Sequence, residues 1–170
     1  KLGIPVIGVV DTKAVTAENS VINEGESAVI NLTVNGHNEI ITKVVFTAPT
    51  TGALYYDGVE QTAVGGKITI NNFDSSKALT YSAGDNAKGN YTLEYTATVQ
   101  DTKSGLTGNF NGSTQVSVTP VTDIPIDPEG TATALVEQAG HTALTTITLQ
   151  ADFVDNSGTE EHFFLVQLPA

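Results

Sequence analysis

The chain has 170 residues, with 19 acidic side chains against 7 basic ones and a formal net charge of -12, so its surface repels phosphate backbones and anionic lipid; nucleic acid and membrane surfaces are excluded as expected partners. It contains no Cys, Met or Trp, which excludes disulfides and thiolate metal sites. No apolar run reaches the roughly 20 residues that span a bilayer, and the opening KLGIPVIGVVD reads as neither signal peptide nor anchor, so the chain reads as an internal piece of a longer protein.

Thr, Val, Asn and Gly dominate and no stretch carries a helical period, so the expected fold class is all-β. Ile4 to Val10 is the expected entry strand, which Pro5 confines to an edge or a strand start. Asn23-Glu24-Gly25-Glu26 is a turn. After it Ile30, Leu32 and Val34 alternate with Asn31 and Thr33, predicting a half-buried strand that ends at Asn35-Gly36, and Ile40 to Phe46 predicts the next. Leu54 to Tyr56 and Val59 to Gln61 flank Asp57-Gly58, a dipeptide favoured in tight hairpins because both central positions want positive φ. Lys67 to Ile70 and Leu79 to Tyr81 follow as strands. In Tyr91 to Gln100 the residues Tyr91, Leu93, Tyr95, Ala97 and Val99 point one way, and Thr92, Glu94, Thr96, Thr98 and Gln100 the other. This strand stops at the acidic turn Asp101 to Gly105. Ser113 to Thr119, with Val116 and Val118 inward, closes the unit, and about seven or eight turn-separated strands predict a Greek-key β-sandwich over residues 1–122.

Pro125 and Pro128 stiffen the segment that follows, while Asp123, Asp127 and Glu129 hang oxygen ligands on it; residues 123–130 therefore read as a junction. Beyond it Ile147, Leu149, Ala151 and Phe153 alternate with polar neighbours. Ile124-Pro125 answers Ile4-Pro5 at an offset of 120, and Glu137 answers Glu24 at 113, which reads as loose tandem repetition. Residues 131–170 are then an incomplete second β module, which either pairs with the first unit or is interrupted by an inserted domain.

The order Pro49, Gly52, Leu54, then Gly58, then Leu79-Thr80-Tyr81, then Gly89, Leu93, Tyr95, Val99 and Asp101 resembles the cadherin-like and immunoglobulin-like repeats of giant bacterial RTX adhesins. The likeness spans about a third of the chain, and Ala83-Gly84 stands where such repeats usually have a Pro. Asp155 to Glu160 followed by Leu168-Pro169-Ala170 resembles the opening of further repeats, with Ser157 in place of a second Asp. The resemblance implies an immunoglobulin-like or cadherin-like sandwich, an extracellular location on a bacterial cell surface and adjacent modules of the same chain as partners. It also implies a monomer and calcium at the module joints, with Asp101, Asp123 and Asp127 as the first ligands.

The residues themselves offer candidates for such a cation, since calcium takes carboxylate and carbonyl oxygens. Asp11, Glu24, Asp101, Asp123, Asp127 and Glu129 lie at turns or on the junction, and Asp152, Asp155 and Glu160 form a second set around Gly158. Acidic turn residues are equally suited to solvated Asx turns. His37, His141 and His162 share no spacing that would make a zinc site, and no G-x-S-x-G or comparable signature points to an enzyme. Tyr55 and Tyr56 beside Asp57-Gly58 fit a sugar-binding loop, or one ring in the core and one covering a strand. The expected function is a calcium-stiffened extender in an adhesin. The alternative is a split platform that carries an inserted sugar-binding or peptide-binding domain.

Overall fold

The computed structural model describes residues 9–84 and 87–121, together with the backbone of two strands further on, and it is all-β throughout the described residues. The chain divides into two compact units, Lys1–Pro120 and Val121–Ala170. The first unit contains β1 (Val15–Ala17), β2 (Ser20–Asn23), β3 (Ser27–Val29), β4 (Leu32–Val34), β5 (Glu39–Thr47) and β6 (Ala53–Tyr56). It continues with β7 (Val59–Glu60), β8 (Lys67–Asn71), β9 (Leu79–Ser82), β10 (Gly89–Asp101) and β11 (Thr107–Thr119). The expected entry strand lies mostly outside the described residues.

A five-stranded sheet in the order β2-β11-β10-β5-β8 and a four-stranded sheet in the order β3-β9-β6-β7 supply the two layers, and β1 pairs with β4 in a short ladder. Strands distant in sequence are neighbours in space, with β10 against β5 and β9 against β3, as crossovers of Greek-key type require. β2 runs parallel to β11 while β1, just upstream, runs antiparallel to β4. The first edge of the sandwich therefore changes sheets at Glu18-Asn19. Thr114 Oγ1 donates to the Glu18 carbonyl at 2.7 Å and the Gln115 amide donates to Asn19 Oδ1 at 2.9 Å, so the backbone groups freed by the switch find partners. These arrangements are compatible with an immunoglobulin-like module.

The core is the inward parity of β10 against its facing strands. Leu93, Tyr95, Ala97 and Val99 are all buried, as the alternation predicts, and they meet Val44, Phe46, Leu54, Leu79, Tyr81 and Val116. Each fully buried Val, Leu or Phe among these contributes about 1.5–3 kcal/mol relative to exposure. In β5 both Ile41 and Val44 face the core, although their spacing breaks a period of two. A bulge resolves this: Thr98 pairs with Lys43 and Val99 with Ile41, leaving Thr42 as the extra residue.

Two expectations are corrected. The expected strand from Ile30 to Val34 is shorter, β4 over Leu32–Val34 pairing with β1, and a separate strand β3 (Ser27–Val29) precedes it and pairs with β9, because the chain passes from one ladder to the other at Ile30, whose amide still bonds the Leu79 carbonyl at 2.8 Å. In the second unit, part of the expected junction is a strand: β12 (Pro125–Ala132) pairs antiparallel with β13 (Ile147–Phe153), with the register shift falling between Ile126 and Glu129. Pro128 lies inside that shift, where a residue with no N–H to donate is tolerated. The Asp57-Gly58 hairpin forms as expected, with φ of 54° and 75° at the two turn residues.

Candidate functional site: the acidic entry pole

Strand parity places two carboxylates at one end of the sandwich. Asp101 continues the inward series of β10 by one more step, and Glu39 occupies the corresponding inward position at the start of β5. The two are cross-strand partners, and both are buried, at 6% and 8% exposure. Buried carboxylates require donors, and each finds them in backbone amides.

Asp101 Oδ1 accepts from the Lys103 amide at 3.1 Å, the Ser104 amide at 2.6 Å and Ser104 Oγ at 2.8 Å. The Asp101 N–H donates to the Leu106 carbonyl and the Gly105 N–H to the Asp101 carbonyl, which closes the hairpin between β10 and β11. The Ser104 amide, then the Ser104 hydroxyl, hold the Asp101 carboxyl below the usual carboxylate range against the opposing effect of burial. The Thr102 amide and hydroxyl both donate to the Asn38 carbonyl, at 2.8 and 2.9 Å, so this hairpin is tied to the loop between β4 and β5.

Glu39 binds the incoming chain. Its Oε1 and Oε2 each accept from the Thr12 amide at 3.0 Å, and Oε1 also accepts from the Asp11 amide. Gly36 lies directly under this carboxylate, where a Cβ would come within 1.7 Å of Oε2. Glu39 was not singled out in the sequence. The available signal was a charged residue at the core-facing phase of an otherwise apolar strand.

The expected ligands are dispersed. Asp11 and Asp101 belong to this pole, where Asp11 contributes its amide and Asp101 caps a turn. Glu24 lies at the far end of β11, its amide donating to the Thr119 carbonyl at 3.0 Å, beside Glu26, whose Oε2 accepts from the Asn23 amide at 2.9 Å. Asp127 and Glu129 are within β12 and Asp152 within β13, where Asp152 pairs in register with Ile126. Asp123, Asp155 and Glu160 lie outside the described residues. Among the described residues no group of three or more His, Asp or Glu side chains converges to hold a metal ion. Tyr56 stacks on Phe73 at 5.5 Å and its hydroxyl accepts from the Asp74 amide at 2.7 Å, so this ring is engaged in packing.

The fold thus defines an all-β unit, compatible with a β-sandwich of immunoglobulin-like type, with a polar, carboxylate-organised entry end. No family model matches the chain, and no curated protein sequence matches it. Among solved structures the chain is similar to the CooA pilin subunit from enterotoxigenic Escherichia coli, at 12% identity over 61% of this chain and 90% of that one, with a TM-score of 0.25. A TM-score at that level is too low to define topology or function.

Proposed function

We propose that this chain is a structural extender of a secreted bacterial adhesin of RTX type, which spaces binding domains away from a cell surface. The supporting observation is the direction of the first unit. The incoming chain is held by Glu39 at the pole of the Asp101 hairpin, and the outgoing chain leaves after Thr119, at the other end of the 13-residue strand β11. At about 3.3 Å per residue that strand separates the two ends by roughly 40 Å. A unit entered at one pole and left at the other adds its whole length when joined in series.

Calcium at the joints is part of the proposal. The pole carboxylates already serve backbone amides, so a cation joint would draw chiefly on Asp123 and on Asp127 and Glu129 of β12. A hard cation there would neutralise crowded carboxylates and stiffen the link.

Thermal melts of the whole chain in EGTA and across about 0.1 to 10 mM calcium, with matched magnesium, test this reading. The expected result is a midpoint that climbs with calcium and not with magnesium. An unchanged midpoint would remove calcium from the mechanism. Small-angle scattering on the same samples checks the spacer itself, which requires a maximum dimension exceeding the roughly 40 Å of the first unit.

A further inference from the structure

Two Asn-Gly dipeptides occur in the first unit, Asn35-Gly36 and Asn111-Gly112. They have the same local chemistry and different surroundings. We propose that Asn35-Gly36 is a site of spontaneous, self-catalysed modification: the Asn35 side-chain amide converts to a carboxylate through a succinimide, while Asn111-Gly112 is protected by the fold.

The reaction requires the backbone nitrogen of the following residue to attack the side-chain carbonyl carbon. A new bond forms between Gly36 N and Asn35 Cγ as the bond from Cγ to Nδ2 breaks. The amide proton is lost and the side-chain nitrogen departs as ammonia, which leaves a five-membered imide. Water then adds to either imide carbonyl and opens the ring to aspartate or isoaspartate at position 35. No oxidant, cofactor or second protein enters the balance.

Three features of the first unit favour this at Asn35. It is exposed and follows the last residue of β4, so no ladder fixes its backbone. The Gly36 amide takes part in none of the hydrogen bonds among the described residues, and is free to attack. Gly36 has no side chain to shield that nitrogen, and a Cβ there would displace the Glu39 carboxylate from the Asp11 and Thr12 amides it holds. The contact that secures the entry pole therefore favours the most reactive neighbour an asparagine can have.

Asn111 is in the middle of β11, paired in register with Thr96, and its Oδ1 accepts from Thr96 Oγ1 at 2.8 Å. Extended backbone holds its side chain away from the next amide nitrogen. Ring closure there must await opening of the ladder between β10 and β11.

Each event at Asn35 places one more negative charge on the loop that leads into Glu39 and is tied to the Asp101 hairpin. The entry pole thus becomes more acidic with the age of the molecule.

The test is incubation of the whole chain in mildly alkaline buffer, followed by peptide mapping with mass spectrometry and enzymatic isoaspartate assay. The expected result is first-order appearance of aspartate and isoaspartate at position 35, at a rate at least about a hundred-fold above that at position 111, which reacts only through strand opening. In denaturant the two sites should converge. The variant Asn35→Gln, whose longer side chain disfavours the five-membered ring, should lose the signal at 35. The proposal is overturned if Asn35 stays intact while a synthetic peptide spanning residues 32–39 converts, or if the two sites react equally in the folded chain.

Discussion

Replacing Glu39 by Ala removes the carboxylate that receives the Asp11 and Thr12 amides. The Thr12 residue is 6% exposed, so its N–H loses its acceptor with little access to water, at a cost of about 1–3 kcal/mol. Asp11 is an exposed residue, so its part-buried amide exchanges a charge-assisted bond for water, adding about 0.5–1.5 kcal/mol. Removing a negative charge opposite Asp101 returns part of this. The expected net loss is about 2 kcal/mol, or roughly 8 °C in the melting midpoint of a unit of this size. Circular dichroism melts and urea titrations measure it, and native-state hydrogen exchange should show the Thr12 amide losing protection. Glu39→Gln keeps one acceptor and should cost about half as much. If Glu39→Ala were as stable as the parent chain or more so, repulsion between the paired carboxylates would outweigh their service to the amides, and the entry pole would not be organised as described.

Gly112→Ala should destabilise by about 1–3 kcal/mol in urea titrations, because its Cβ would sit 2.5 Å from the Tyr95 hydroxyl, whose ring is fixed against Phe46 and whose O–H bonds the Val15 carbonyl at 3.1 Å. The Asp101 carboxyl titrates below its ordinary value of 3.8 in the folded chain, so its contribution is fully present above that value and is lost as pH falls through the lower folded value. Asp101→Asn should therefore flatten the acid limb of the stability profile below about pH 4, which melts in a series of acidic buffers would show.

The sequence by itself determined the fold class and most of the first unit. The faultless alternation from Tyr91 to Val99 could only be a strand with one buried face, and Asp57-Gly58 could only be a turn with two positive φ values, because these signals are local consequences of backbone sterics and side-chain period. Other features depended on tertiary structure. The alternation from Ala28 to Val34 is continuous in sequence, yet β3 and β4 bond to different partners, since parity says which side faces the core and nothing about which strand lies alongside. The bulge at Thr42 is equally silent, because it exists only to bring Ile41 and Val44 to the same side opposite β10. The acidic pole illustrates the division most directly. Asp101 was legible as a turn residue from its own neighbours, whereas Glu39 acquired its role from Asp11 and Thr12, some 27 residues upstream. Buried carboxylates take whatever donors the fold delivers, and only the tertiary structure decides which those are.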